Sequence, residues 1–105
     1  MENYVDIFKV LANETRIDML MWLKNPMDHF EKPTAHLSKN ISEKGGVCVG
    51  DIQEKANMSQ STVSHYLSMM QKAGLLESER HGKWTYYRRN ESTIQQVAAF
   101  IEKEL

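Results

Sequence analysis

The sequence predicts an α-rich α+β fold of about five helices and one β-hairpin, and three observations carry that expectation. Apolar residues recur at three- and four-residue spacing near both ends of the chain. Residues 51–73 read as a short helix, a tight turn and a second helix. Two strand-like runs, "LLESER" and "WTYYRR", then follow around a glycine.

The 105 residues suit a single domain over 1–105, with a modest core. A 41% hydrophobic content supports folding, and the 26% of charged residues are of both signs, which argues against disorder. No long apolar span is present, and "MENYVDIFKV" lacks the layout of a signal peptide, so no membrane partner is expected. Cys48 is the one cysteine, which fits a reducing compartment and a cytoplasmic protein.

Tyr4, Val5, Ile7, Phe8, Val10 and Leu11 form a short apolar segment read as the first helix. Asn13 fits an N-cap, its side chain accepting from free amides, with Glu14 near the positive helix end. Ile17, Leu20, Met21 and Lys24 then mark one face of an amphipathic helix of about three turns, which Pro26 ends. A long connection follows at about 25–46, patternless except for a turn around Ala35 to Leu37. A connection of that length is functional or mobile.

"VCV" at 47–49 fits a minimal strand, and Asp51 to Asn57 a short helix with Val49, Ile52 and Ala56 on one side. Asn57 is suited to a left-handed helix stop, Ser59 to the cap of the next helix, and Gly74 to its end. Gly82 supplies the turn between the two strands. A last helix begins at about Ser92, with Ile94, Val97, Ala98, Ile101 and Leu105 at helical spacing. In this order the elements make a winged helix-turn-helix.

The helix "SQSTVSHYL" (59–67 and onward) has an unusual surface. At 100° per residue, Val63, Tyr66, Leu67 and Met70 share the inward side. Ser61, Ser64, His65, Ser68 and Lys72 gather opposite, with Gln60 at the front edge. Solubility alone favours Glu and Lys there, the better helix formers. Short donors and acceptors instead suit the DNA major groove, where Gln pairs with adenine and Ser or Thr serve several bases. Helix-terminal amides can hold a phosphate.

Charge points the same way. The chain carries −1 overall, yet residues 59–90 hold five basic side chains against Glu77 and Glu79, a local excess of three. Lys72, Arg80, Lys83, Arg88 and Arg89 are read as clamps on phosphates. The DNA-binding set is therefore Ser59, Gln60, Ser61, Thr62, Ser64, His65, Lys72, Arg80, Lys83 and Arg88. A plainer reading leaves Ser59 and Thr62 as caps and the other serines incidental.

Four segments in order resemble the ArsR/SmtB group of dimeric winged-helix repressors. "LANETRIDML" (11–20) is similar to the family's "LADPTRLRIL", and "VCVGDI" (47–52) to its "LCVCDL" or "LCVGDL". "SQSTVSHYLSMMQKAGLL" (59–76) resembles its recognition helix, and "HGKWTYYR" (81–88) its wing. The resemblance implies a homodimer formed by the first and last helices, through Tyr4, Ile7, Phe8, Ile94, Val97 and Ile101. It also implies a double-stranded DNA operator, near-palindromic, from which a signal releases the repressor.

The chain departs from the family at its sensing sites. Where the family has Cys-x-Cys, this chain has Cys48 and Gly50, and "NESTIQQVAAFIEKEL" (90–105) holds no histidine. His29, His36 and Cys48 remain as donors for a transition metal such as zinc. The same three residues also fit two solvated loop histidines and a small buried thiol. Oxidation of Cys48, or a small effector bound beneath the connection with Phe30 and Trp22 as walls, are further readings.

No nucleophile–base–orienter set appears, so no enzymatic activity is expected. Asp51 and Glu54 read as the solvated face of a short helix. The rival to a DNA-binding regulator is a winged-helix protein–protein module. Such a module has no need of Gln60, Ser61, Ser64 and His65 facing outward beside a basic wing.

Overall fold

Asn13 divides the N-terminal apolar run into two helices. In this computed structural model, which describes residues 4–30 and 46–105, helix α1 spans Tyr4–Leu11 and α2 spans Glu14–Lys24. Asn13 is extended between them, and its side chain accepts from the Arg16 amide at 3.0 Å. This is the expected cap, which satisfies one of the donors that a helix start leaves open.

The inward face of α2 differs from expectation. Arg16, Met19 and Leu23 are buried, whereas Ile17 and Met21 are 38% and 56% exposed. A periodicity built on apolar residues misses this face because one of its members is a charged residue. Arg16 is drawn inward by the α1 carbonyl of Val10, 2.6 Å from Nε, and that contact sets the rotation of the helix.

The chain after α2 is also more regular than expected. Pro26 does follow the end of α2, but it also opens a four-residue helix, α3 (Pro26–His29), closed by the Phe30 amide donating to the Pro26 carbonyl. Proline suits a first helical position because the amide it lacks would have no partner there. The described helices therefore number six. The expected turn around Ala35 to Leu37, and His36 with it, lie outside the described residues.

Strand β1 is Val47–Cys48, and Val49 already belongs to helix α4 (Val49–Ala56). Asn57 stops α4 in the left-handed region (φ 54°, ψ 47°). Ser59 caps α5 (Gln60–Lys72), and Gly74 (φ 85°) turns the chain into the hairpin of β2 (Leu76–His81) and β3 (Trp84–Arg89). Gly82 (φ 62°) and Lys83 form a two-residue turn, and the strands pair Glu77 with Arg88 and Glu79 with Tyr86. The strand order is β1-β3-β2, so β1 extends the hairpin into a three-stranded antiparallel sheet. Helix α6 (Glu91–Glu104) begins at the Asn90 cap.

One core joins these elements. Ile7 of α1, Met19 of α2, Ile52 of α4, Val63 and Leu67 of α5 and Tyr86 of β3 are all essentially inaccessible. Helix α5 is thus anchored by one side only, with the other left outside. No helix among the described residues is long and apolar enough to cross a membrane.

Candidate nucleic-acid interface

The starting point is the cap of α5. Ser59 Oγ accepts from the Thr62 amide at 3.2 Å and donates to the Thr62 hydroxyl at 2.9 Å. Ser61 Oγ lies 3.3 Å from Ser59 Oγ. The first turn therefore presents a ring of three hydroxyls beside free helix amides. Ser59 and Thr62 are held within this cap, as the plainer reading of the sequence has it.

Beyond the cap, α5 divides as its sequence predicts. Val63, Leu67 and Met70 are fully buried, and Tyr66 is half-buried. Gln60, Ser61, Ser64, His65, Ser68 and Lys72 are all exposed. These outward residues lie along one side of the helix over its full length. Three of the six are serines, whose short side chains let the helix axis approach a partner closely.

The wing stands beside this helix. Gln71 Nε2 donates to Ser78 Oγ at 2.9 Å, which identifies the sheet face turned toward α5. Side chains alternate along a strand, so Arg80 shares that face with Ser78. Arg80 is exposed, and its Nε donates to the Gly82 carbonyl at 3.0 Å, holding the side chain at the wing tip. Lys83, also exposed, has its ammonium 5.5 Å from the Trp84 ring. Lys72, Arg80 and Lys83 have no carboxylate partner among the described residues.

Arg88 and Arg89, expected with the clamps, are placed otherwise. Arg88 lies on the opposite face of the hairpin, its Nε donating to Glu77 at 3.1 Å and its Nη1 to Glu79 at 2.8 Å. Glu79 also meets His81 Nε2 at 2.9 Å. Arg89 grips Glu91 at the start of α6, with Nε 2.8 Å and Nη2 2.9 Å from its two carboxylate oxygens. Both guanidinium groups are paired locally, Arg88 because the hairpin register sets Glu77 opposite it and Arg89 because Glu91 follows two residues later at the start of α6.

Of the donors considered for a metal, two are among the described residues. His29 is half-buried on α3, Cys48 is buried on β1, and His36 lies outside the described residues. Among the described residues no group of three His, Cys, Asp or Glu side chains is placed to hold an ion. Phe30 is buried with its ring edge-on to Trp22 at 6.5 Å, and Lys55 extends over both rings. These aromatics pack as core.

The residues expected at a dimer contact fall into two groups. Ile7 and Val97 are enclosed in the protomer's own core, 1% and 6% exposed, so little of either is left for a partner to cover. Periodicity marks apolar residues without telling core from interface. Tyr4, Phe8 and Ile94 are half-buried and Ile101 is exposed. Phe100, which was not singled out from the sequence, stacks on Tyr4 with ring centroids 4.1 Å apart and joins α6 to α1.

Sequence reading also missed Arg16, whose guanidinium lies over the ring of Tyr66, 4.8 Å from its centroid. The available signal was its place within "LANETR", directly after the cap.

Known proteins resemble this chain in sequence and in shape. A sequence model described as "Bacterial regulatory protein, arsR family" matches residues 41–78. The uncharacterized HTH-type transcriptional regulator YbzH of Bacillus subtilis (strain 168) is 44% identical over 101 residues, covering 96% of this chain and 97% of that protein. The arsenical resistance operon repressor of Escherichia coli (strain K12) is 31% identical over 84 residues, covering 80% of this chain and 56% of that protein. Among solved structures, the homodimeric winged helix-turn-helix DNA-binding domain of Mb0332 from Mycobacterium bovis, a possible ArsR-family transcriptional regulator, superposes with a TM-score of 0.63. It is 25% identical, over 90% of this chain and 70% of that one.

Proposed function

The chain belongs to the arsR family of bacterial regulatory proteins, non-enzymatic transcriptional regulators with a DNA-binding winged helix-turn-helix, and on that premise we propose that it is a homodimeric repressor of a near-palindromic operator. The observation that carries this reading is the division of α5. One side packs into the core through Val63, Leu67 and Met70, and the other presents Gln60, Ser61, Ser64 and His65 to solvent with no carboxylate or ammonium among them. A major groove about 12 Å wide admits such a helix and supplies partners for each of these groups.

In this reading the N-terminal half of α5 reads base edges, and the hydroxyl ring at its start meets a phosphate. Lys72, Arg80 and Lys83 hold the backbone on either side and set the register without reading sequence. A twofold dimer through α1 and α6 sets two such helices about one duplex turn apart, as a near-palindromic site requires. The DNA confines the protein's work to the cytoplasm.

Release needs a ligand or chemical signal that binds the DNA-incompetent arrangement more tightly, a coupling of roughly 1–3 kcal/mol. The moving quantity is the relative orientation of the two α5 helices in the dimer.

Enrichment of duplexes from a randomised library by the full chain tests the proposal. We expect a single motif with twofold symmetry, bound with a log–log salt slope set by several phosphate contacts. A protein that enriches nothing and shifts no DNA even at low salt is instead a protein–protein module.

A further inference from the structure

We propose that Arg16 is a positioning residue for operator reading: its buried guanidinium fixes the rotation of α5 by clamping the ring of Tyr66 to the end of α1. The proposal rests on the assignment of α5 as the DNA-reading helix.

Arg16 is 9% exposed and has no carboxylate partner among the described residues. A buried cation of that kind is destabilising unless its donors are met, so its actual partners say what holds it in place. Nε donates to the Val10 carbonyl at 2.6 Å, in the last turn of α1. Carbonyls there lack helical amide partners and form the negative end of the helix dipole. The guanidinium carbon lies 4.8 Å from the Tyr66 ring centroid, and Nη1 lies 3.9 Å from Met69 Sδ. Tyr66 and Met69 are three residues apart on α5, so one cation touches two consecutive turns of that helix.

The far end of the same ring is also held. The Tyr66 hydroxyl is 3.5 Å from Asn13 Nδ2, and Asn13 is the cap of the helix that carries Arg16. Tyr66 is thus gripped at its face and at its tip by two residues of one helix start. It immediately follows His65 on α5 and cannot rotate about the helix axis without carrying His65 and Ser64 with it.

Small rotations matter at this site. Side-chain tips lie about 5–6 Å from a helix axis, so a turn of about 10° displaces them by about 1 Å, enough to lose a hydrogen bond to a base edge. Helix α1 is itself joined to α6 by the Tyr4–Phe100 stack, so the clamp links the proposed dimer helices to the reading face. Lysine is a poor substitute for Arg16. A single ammonium cannot reach the Val10 carbonyl and lie flat on the ring together, whereas a planar guanidinium does both.

The test compares wild type with Arg16→Lys, Tyr66→Leu, Tyr66→Phe and the double variant Arg16→Lys/Tyr66→Leu. Each is titrated with a duplex that the wild-type protein enriched from a randomised library, and with poly(dI-dC). Thermal unfolding and sedimentation confirm that each variant is folded and in the wild-type oligomeric state. Arg16→Lys and Tyr66→Leu should each weaken the enriched duplex about 10-fold and leave poly(dI-dC) unchanged. Tyr66→Phe, which restores the ring, should recover most of the loss seen in Tyr66→Leu. The double variant should be no weaker than the worse single one, because both remove one shared contact.

Losses that multiply in the double variant, or that fall equally on poly(dI-dC), overturn the proposal. A folded Arg16→Lys with wild-type discrimination does the same. Should Arg16→Lys fail to fold, Tyr66→Leu decides alone, since it opens the same contact from a half-buried position. A wild-type protein that enriches no duplex brings down the DNA assignment itself, and this inference with it, before any substitution is made.

Discussion

The Arg88 guanidinium meets the Glu79 carboxylate at 2.8 Å across the hairpin, on the sheet face opposite the one that Ser78 turns toward α5. Glu77 takes a second of its donors at 3.1 Å. Arg88 is therefore a strut of the wing, while Arg80 and Lys83 are the cations left near its tip. We expect Arg88→Ala to cost about 1 kcal/mol of stability, a modest figure because Glu77 is half-exposed to solvent. Its salt slope for DNA should match wild type. Lys83→Ala should do the reverse, keeping the melting temperature and reducing the slope of log affinity against log salt by about 1. Equal slope changes in the two variants would return Arg88 to the phosphate contacts.

Ser64 and His65 project from the exposed side of α5 without any role in the core. Alanine is the best helix former, so neither Ser64→Ala nor His65→Ala should lower thermal stability. Both should weaken an enriched operator by about 1–3 kcal/mol while leaving random DNA nearly unaffected, because base contacts carry the sequence information. Competitive titration of the two DNAs measures the ratio directly. A loss shared equally between them means that another element reads the bases.

Two backbone positions at the ends of the helix-turn-helix turn make opposite expectations. Ser59 satisfies the Thr62 amide, so Ser59→Ala should cost about 1 kcal/mol in chemical denaturation. Asn57 is held at φ 54°, where glycine is free of the steric penalty, so Asn57→Gly should be neutral or stabilising. Asn57→Val, with a branched side chain in that region, should lose more than either.

These local features were legible from the sequence because each is set by residues close in the chain. The caps at Asn13 and Ser59, the stop at Asn57, the turn at Gly82 and the two faces of α5 all follow from short-range chemistry. What was not legible depends on distant partners or on register. Arg16 turns inward to meet the Val10 carbonyl, and also Tyr66, which lies fifty residues on and offers its ring. The partners of Arg88 follow from a two-residue turn at Gly82–Lys83; reading "HGK" as the loop leaves the pairing open, and a one-residue slip moves every side chain to the other face. Ile7 and Val97 have the spacing of an interface, and only the packed tertiary structure shows them consumed by the core.

Burial raises the pKa of Tyr87 above its ordinary value of 10.0. The unfolded chain then loses the phenolic proton at lower pH than the folded one does. The contribution of this group to stability is constant below pH 10.0 and falls as pH climbs from there through the folded-state value. Denaturant midpoints measured between neutral pH and this alkaline range should show the decline, and Tyr87→Phe should make it shallower. An unchanged alkaline limb in Tyr87→Phe would mean that other groups account for it.

Ile101 and Val97 are one helical turn apart on α6 and have different surroundings. Val97 is 6% exposed within the protomer, whereas Ile101 is 49% exposed. If α6 meets a second copy of the chain, Ile101 is covered only in that assembly. Ile101→Lys should then leave the protomer's melting behaviour at low concentration unchanged and shift sedimentation toward the monomer. Operator binding should weaken with it, because a monomer engages one half-site and loses the gain from linking two. Val97→Ala should instead lower stability by about 2 kcal/mol through the cavity it leaves, with the dimer affected only as far as folding is. A dimer of undiminished strength in Ile101→Lys, under conditions where wild type dissociates measurably, would place the contact elsewhere than this end of α6.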